Sequence, residues 1–122
     1  MPKPKSKAIT RIRAEVLRIV ASIPPGHFTT YGGIAVHMNV VPLHVGSALA
    51  SLTEEEAASL PWHRVVGSDG RLSLMKNGKV SARQRARLEA EGMKIDRRRY
   101  IVDPDPRYYY VGPRRSIRWS QG

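Results

Sequence analysis

Two short apolar segments separated by a tight turn constrain the fold of this 122-residue chain most strongly. The first segment, about Tyr31–Met38, follows Thr30, and threonine is a favourable helix N-cap residue. The second, about Leu43–Leu52, follows Pro42, and proline suits the first position of a helix. Two short helices joined by such a turn predict a helix-turn-helix.

Amphipathic segments on both sides of this unit complete a mainly helical prediction. Apolar residues recur at helical spacing over Ala8–Ile23, and the sequence PPG at 24–26 ends that helix. A later helix is predicted over Ser81–Glu91, and Gly92 ends it. Between them, the sequence WHRVV predicts a short buried segment. The fold class is therefore mainly α with a short β segment.

The length of the chain allows one small domain with a single core. We divide it into a flexible basic arm over residues 1–8, a folded domain over residues 9–95, and a basic, aromatic C-terminal extension over residues 96–122. The extension is predicted to be a strand or an irregular tail. The arm is not expected to be a signal peptide, because no long apolar segment follows it. No apolar run approaches the roughly 20 residues that a membrane span requires.

Positive charge is abundant and unevenly distributed. Lys and Arg number 21 against 10 Asp and Glu, which gives a net charge of +11. The basic residues crowd both ends of the chain: Lys3, Lys5, Lys7, Arg11, Arg13, Arg97, Arg98, Arg99, Arg107, Arg114, Arg115 and Arg118. This distribution indicates a polyanionic partner, with nucleic acid as the first interpretation and an anionic membrane as the second. The alternative is a basic protein without such a partner.

The chain contains no cysteine, so disulfides, thiolate catalysis and Cys-type zinc sites are excluded. The histidines could ligate a metal, but none has the tight spacing of a zinc site. They are His27, His37, His44 and His63. We therefore expect no metal and no cofactor, and a cytoplasmic location, associated with the nucleoid if the source is prokaryotic.

Several segments together resemble a known family. IPPGHFTTYGGIA, VGSAL, LPWHRVVGSDG and RLEAEG, between about Ile23 and Gly92, resemble the DNA-binding domain of the O6-alkylguanine-DNA alkyltransferases. The pattern of that family is Pro-Cys-His-Arg-Val, and its cysteine takes the alkyl group from guanine. Trp62 occupies the cysteine position here. The resemblance is thus to the alkyltransferase-like branch, and it implies a winged-helix-like helix-turn-helix DNA-binding domain over residues 9–95.

The resemblance implies a lesion-binding pocket lined by Trp62, Tyr31, Pro61, Val65 and Ser73. The flat, apolar face of an indole suits contact with an alkylated base. Tyr31 matches a family tyrosine that helps to turn the target nucleotide by crowding its 3′ phosphate. Without the resemblance, Trp62 would be interpreted as a core aromatic residue, because isolated tryptophans are usually structural.

A former active-site scaffold is implied at His63, Arg64 and Glu91. In the family the glutamate orients the histidine, which takes the proton of the thiol through water. Without a thiol the pair has nothing to activate, so the resemblance implies that it persists as a hydrogen-bonded support. Arg64 is implied to bond backbone carbonyls nearby. The alternative for His63 is an ordinary buried histidine with its hydrogen bonds satisfied.

The resemblance also implies DNA contacts by residues of the helix-turn-helix, namely Thr30, Tyr31, Gly32, Leu43, His44 and Ser47. The family places an arginine two residues before the Val-Gly pair, and that arginine fills the gap left by the flipped base. Leu43 occupies this position. Either Leu43 acts as an apolar wedge, as in some minor-groove proteins, or His44 serves, or flipping is weakened.

The resulting prediction is a monomeric, non-enzymatic sensor of DNA damage. It binds O6-alkylguanine in double-stranded DNA, flips the damaged base and directs the lesion to nucleotide excision repair proteins, with no membrane partner. Two alternatives stay open. One is an architectural protein that binds DNA without sequence preference. The other is a hydrolytic dealkylase that uses His63 and Glu91 as its base.

Overall fold

A long amphipathic helix forms one side of the molecule. The structure is a computed structural model that describes residues 7–116 and 119. Helix α1 spans Lys7–Ser22 and buries Ile12, Val16, Ile19 and Val20. These side chains recur at the three- and four-residue spacing of one helix face. The predicted basic arm lies outside the described residues except for its last two, which form the first turn of α1.

The predicted helix-turn-helix is present. Helix α2 spans Tyr31–Met38, helix α3 spans Pro42–Ala50, and the pair is bent by 114°. The side chain of Thr30 caps α2, because its hydroxyl accepts a hydrogen bond from the backbone N–H of Gly33 at 2.9 Å. Asn39 ends α2 with a φ of 59°, in the left-handed region that asparagine tolerates better than most residues.

Two shorter helices flank the WHRVV segment. Helix α4 spans Glu54–Ser59 and begins with the capping box formed by Thr53 and Glu56. Helix α5 spans Ala82–Ala90, one residue shorter at each end than predicted, because Ser81 is its N-cap and Glu91 its C-cap. Gly92 then leaves the helix with a φ of 91°.

A two-stranded parallel sheet joins the halves of the core. Strand β1 spans Thr29–Thr30, strand β2 spans Val65–Val66, and Thr29 pairs with Val65. Successive side chains of a strand point to opposite faces. Accordingly, Val65 packs with the side chains of α1, α2 and α3, and Val66 packs into a second cluster of buried residues. The members of the second cluster are Phe28, Val66, Leu72, Leu88, Met93 and Ile101.

The C-terminal extension packs against the domain. Phe28 donates its backbone N–H to Arg107 at 3.0 Å and accepts one from Tyr109 at 2.8 Å. Ile101 is 2% exposed within the second cluster, and the indole of Trp119 donates to the backbone carbonyl of Met38 at 2.7 Å. In its described part the extension is irregular chain with isolated bridges and one short 3₁₀ turn. It is therefore part of the folded structure.

Arg107 is predicted to hold the extension in place. Its guanidinium donates to the carbonyls of Gly26 and Gly92, each at 3.0 Å. Arg107→Ala leaves both carbonyls without this donor, so we expect the free energy of unfolding to fall by about 1–3 kcal/mol in urea denaturation. Arg98→Ala, an exposed arginine of the same extension, is the matched control and should change stability by less than about 0.5 kcal/mol. Equal losses in the two variants would contradict this role of Arg107.

Candidate nucleic-acid interface

The first residue of α2 connects the helix-turn-helix to the segment after β2. Tyr31 is half-buried against the core cluster that Val65 forms with side chains of α1, α2 and α3. The side chain of Tyr31 also hydrogen-bonds to Ser73. Burial raises the pKa of the Tyr31 hydroxyl, and the hydrogen bond to Ser73 offsets this only in part. The phenol is therefore neutral at physiological pH and keeps its proton for hydrogen bonding. The structure thus brings together Tyr31 and Ser73 of the predicted pocket residues, whereas the side chain of Val65 is fully buried in the core.

The N-terminal end of α2 borders an open groove. Thr30 and Gly32 line a groove of about 670 Å³ together with Ser68, Tyr110 and Arg114. A Cβ atom at Gly32 would meet no heavy atom within 4 Å, so the backbone here is open to a partner. The free N–H groups and the dipole of a helix N-terminus favour an anion. This position is consistent with the phosphate contact predicted for the start of α2.

The tip of the helix-turn-helix carries an exposed apolar side chain. Leu43, in the first turn of α3, is 74% exposed. His44 and Ser47 are also exposed, and Ser47 shares a helix face with Leu43 because the two are four residues apart. Val41, the N-cap residue of α3, is 56% exposed beside them. Sequence reasoning missed Val41, since a valine in a turn carries no pattern that separates a core position from a surface one.

Trp62 begins the 3₁₀ turn Trp62–Arg64 and lies against α5. Its indole N–H donates to the carbonyl of Ala57 at 3.0 Å. The guanidinium carbons of Arg83 and Arg87 lie 5.9 and 5.5 Å from the centre of a Trp62 ring, a distance at which cations are attracted to the ring face. The neighbours of Trp62 thus differ from those of Tyr31, and a lesion pocket shared by both stays a prediction.

A carboxylate at the end of α5 organises the segment around Trp62. One oxygen of Glu91 lies 2.7 Å from Nε2 of His63 and 2.8 Å from Nη2 of Arg64. The other accepts the backbone N–H of Gly26 at 2.9 Å. The predicted His63–Glu91 hydrogen bond is present, and Glu91 also joins α5 to the turn after α1. Pro61 lies beside this network in the wall of a cavity of about 530 Å³.

Arg64 makes more contacts than the resemblance implied. Its Nη1 donates to the carbonyl of Ile23 at 2.7 Å, as expected of a residue that bonds backbone. In addition, its Nε and Nη2 donate to the Glu91 carboxylate, so the two form a multidentate ion pair. Arg64 and Glu91 are 27 positions apart in the sequence, so no local sequence pattern reveals this pair.

The charges of the network follow from its burial and hydrogen bonds. Partial burial raises the pKa of Glu91, but the hydrogen bonds from Arg64 and His63 outweigh it and lower the pKa to about 2. Burial, together with the nearby charges of Arg64 and Arg87, lowers the pKa of His63 although Glu91 acts to raise it. At neutral pH, Glu91 is therefore ionised and His63 is neutral. If Nε2 of His63 donates to Glu91, its Nδ1 holds a lone pair, and this buried atom has no hydrogen-bond partner among the described residues.

Gln84 is a further site residue that sequence reasoning missed. It is 6% exposed in α5, and its amide nitrogen donates to the carbonyls of His63 and Val65 at 3.3 and 3.1 Å. These bonds fasten the strand that follows Trp62 to the helix that carries Glu91. The only signal was a glutamine between arginines on an otherwise charged helix, which ordinarily indicates a solvent-facing position.

Much of the terminal positive charge is structural. Arg13 forms an ion pair with Glu56 at 2.7 Å, and Arg115 forms one with Glu15 at 2.8 Å. Arg107 is committed to backbone carbonyls. The count of 21 Lys and Arg side chains therefore overstates the number of cations that are free to face a partner.

Residues 7–116 and 119 contain neither a single helix that could span a membrane nor a cluster that could bind a metal ion. No single helix there is both long enough and apolar enough to cross a membrane, and α2 with α3 meets that test only as a bent pair. In the same part of the chain, no three His, Asp or Glu side chains come together as a group that could hold a metal ion.

Glu91→Gln should destabilise the protein and make its free energy of unfolding less sensitive to acidification. The variant leaves Arg64 without its carboxylate, so we expect a loss of about 3 kcal/mol in the free energy of unfolding at neutral pH. The folded-state pKa of about 2 lies below the unfolded value of 4.5. The stabilisation is therefore complete above pH 4.5 and is lost as the pH falls towards 2.

Urea denaturation across this pH range measures both effects. In the variant the loss of stability on acidification should be shallower than in the wild type. It should not vanish, because the pKa values of Glu15 and Glu56 are lowered as well. An acid response identical to that of the wild type would contradict the placement of Glu91 at the centre of the network.

Comparison with known proteins gives one consistent result. The family described as the 6-O-methylguanine DNA methyltransferase DNA-binding domain matches residues 11–93. A DNA base-flipping protein of Vibrio parahaemolyticus is 40% identical over 84 residues, which cover 66% of this chain and 79% of that protein. Alkyltransferase-like protein 1 of Schizosaccharomyces pombe is 40% identical over 83 residues, which cover 66% of this chain and 75% of that protein.

A solved structure extends the similarity to the fold. The crystal structure of Schizosaccharomyces pombe Atl1 in complex with damaged DNA containing O6-carboxymethylguanine superposes with a TM-score of 0.72 at 30% identity. The match covers 82% of this chain and 95% of that one. It confirms the predicted fold class. With Trp62 where the family pattern has cysteine, the chain belongs to the 6-O-methylguanine DNA methyltransferase DNA-binding-domain family, as a protein of the alkyltransferase-like type.

Proposed function

We propose that this protein is a non-enzymatic sensor that binds O6-alkylguanine in duplex DNA and flips the damaged base. The observation that carries the proposal is Trp62 at the acceptor position of a chain with no cysteine, next in sequence to a His63 that keeps its hydrogen bond to Glu91. Its relatives support the proposal. One is named a DNA base-flipping protein, and Schizosaccharomyces pombe Atl1 was solved with damaged DNA.

Docking and flipping are assigned to the helix-turn-helix. The start of α2 meets phosphate through its backbone N–H groups, and Tyr31 crowds the phosphate beside the target nucleotide. Leu43 enters the base stack, because it is the apolar side chain most exposed at the tip of α3. Turning a base out of the stack costs a few kcal/mol, and less for a damaged base, which supplies part of the selectivity.

The lesion is recognised by contact rather than by reaction. The extruded guanine enters between the start of α2 and the turn that carries Trp62, where Tyr31, Ser73, Pro61 and the backbone beside Val65 complete the pocket. Arg83 and Arg87 hold the indole from the α5 side. A base stacked on an aromatic ring gains about 1–3 kcal/mol, which is enough to favour one duplex over another.

The site lacks the components of a dealkylation reaction. An indole is a poor nucleophile, and the chain has no thiol to accept an alkyl group. His63 has a free lone pair, but a base alone does not supply the acid group that would protonate the leaving guanine. The protein therefore acts by forming a stable complex with the lesion. We propose that it does so as a monomer in the cytoplasm and that it passes the lesion to nucleotide excision repair proteins.

A binding comparison tests the proposal. Dissociation constants are measured for one duplex with guanine and with O6-methylguanine at the same position, at a single salt concentration, together with larger alkyl groups. We expect tighter binding to every alkylated duplex. Equal affinity for intact and alkylated DNA would instead indicate an architectural DNA-binding protein.

Trp62→Ala should remove lesion preference while leaving general DNA affinity. The variant loses the ring that contacts the alkylated base, so the preference for O6-methylguanine should fall by about tenfold, the equivalent of about 1.4 kcal/mol. Affinity for the intact duplex should barely change, because it depends on phosphate contacts. If both affinities fall by the same factor, Trp62 is a core residue and the pocket assignment is wrong.

Leu43 should act as the wedge. Leu43→Ala should weaken binding to the alkylated duplex by about fivefold, the equivalent of about 1 kcal/mol of buried apolar surface. It should also reduce the fluorescence of 2-aminopurine placed beside the lesion, which reports on unstacking. Leu43→Arg, which restores the family residue, should raise both. If neither change affects affinity or fluorescence, the wedge lies elsewhere, and His44→Ala is the next variant to measure.

A further inference from the structure

A basic surface formed by the segment after β2 and the start of the C-terminal extension lies beside the helix-turn-helix. The chain turns back on itself over residues 96–100, where Ile95 and Ile101 pair and Arg71 pairs with Tyr100. We call this the basic turn surface. It consists of Arg71, Arg97, Arg98, Arg99 and Tyr100.

The arginines of this turn are available to bind an external anion. The only carboxylate within the turn, that of Asp96, accepts the backbone N–H groups of Arg98 and Tyr100 at 2.8 and 2.9 Å, so it serves the backbone. Arg97 and Arg98 are exposed. Within the described part of the chain, neither of them forms an ion pair, and neither does Arg71.

Two of the guanidinium groups are held in place rather than free. The guanidinium of Arg71 lies over the ring of Tyr100, 5.4 Å from its centre. Arg99 adopts a φ of 75°, which is unusual for a residue with a side chain, and its Nε donates to the carbonyl of Leu72 at 3.2 Å. A stacked guanidinium keeps its N–H edge free, and that edge matches the geometry of phosphate oxygens.

This surface is continuous with the DNA-facing end of α2. The backbone N–H of Leu72 donates to the carbonyl of Arg99 at 2.8 Å, and the next residue, Ser73, bonds to Tyr31. A groove of about 400 Å³ runs between residues 67–73 and the pair Arg99 and Tyr100. Ser68 borders both this groove and the one at the start of α2.

We propose that the basic turn surface binds the sugar-phosphate backbone of the same duplex, beyond the footprint of the helix-turn-helix. The inference rests on the proposed function for the identity of the duplex. Guanidinium groups that lie beside an aromatic ring fit a row of phosphates. Contacts of this kind add affinity but carry no sequence or lesion information. The surface should therefore strengthen binding to intact and damaged DNA equally.

The test compares two double variants that remove the same charge. Arg97→Gln/Arg98→Gln removes two cations of the surface. Arg18→Gln/Arg85→Gln removes two other exposed arginines, which are paired with Glu15 and Glu89. The logarithm of the association constant is measured against the logarithm of salt concentration. For the first variant, the slope should become shallower by about 1.8, or about 0.9 for each phosphate that is no longer neutralised.

The control should keep the wild-type slope, and Arg71→Gln alone should make the slope shallower by about 0.9. Affinity for intact and alkylated duplexes should fall by the same factor in the surface variants. The proposal is overturned if the surface and control variants share one slope, or if the surface variants change lesion preference instead. A wild type without lesion preference overturns the proposed function, while a difference in slope would still establish the basic turn surface.

Discussion

The rest of this site depends on the interactions of one carboxylate, that of Glu91. This carboxylate stands at the C-terminal end of α5 and binds Arg64, His63 and the backbone N–H of Gly26 at once. Three parts of the chain that are distant in sequence are thereby fixed around one charge. Because a partly buried carboxylate is stable only when it is paired and hydrogen-bonded, the arrangement either forms as a whole or loses much of its stability.

This dependence explains how a scaffold suited to chemistry can serve recognition. The network supports the turn that begins with Trp62, and Gln84 fastens the following strand to α5. Neutral His63 and ionised Glu91 then act as rigid support, whatever residue occupies the acceptor position. With an indole there, the same geometry offers a flat face held by Arg83 and Arg87 in place of a nucleophile. In the proposed function, binding energy rather than bond formation is the means of discrimination.

Local patterns predicted the helices well and the long-range contacts poorly. The bounds of α2 and the start of α3 follow from Thr30 and Pro42, because helix caps act within a few residues. The pairing of Arg64 with Glu91 and the packing of the extension on Phe28 depend on the folded chain. Charge counting likewise could not separate structural cations such as Arg115 from those that face solvent, since ion pairs are made across the fold.

The fate of the lesion tests the central claim most directly. A duplex with O6-methylguanine is incubated with excess protein until the complex is saturated, the protein is removed, and the nucleosides are quantified by mass spectrometry. A sensor that binds without reacting predicts complete recovery of O6-methylguanine, together with a protein of unchanged mass. Loss of O6-methylguanine with the appearance of guanine, whether the methyl group goes to the protein or to water, would contradict the account.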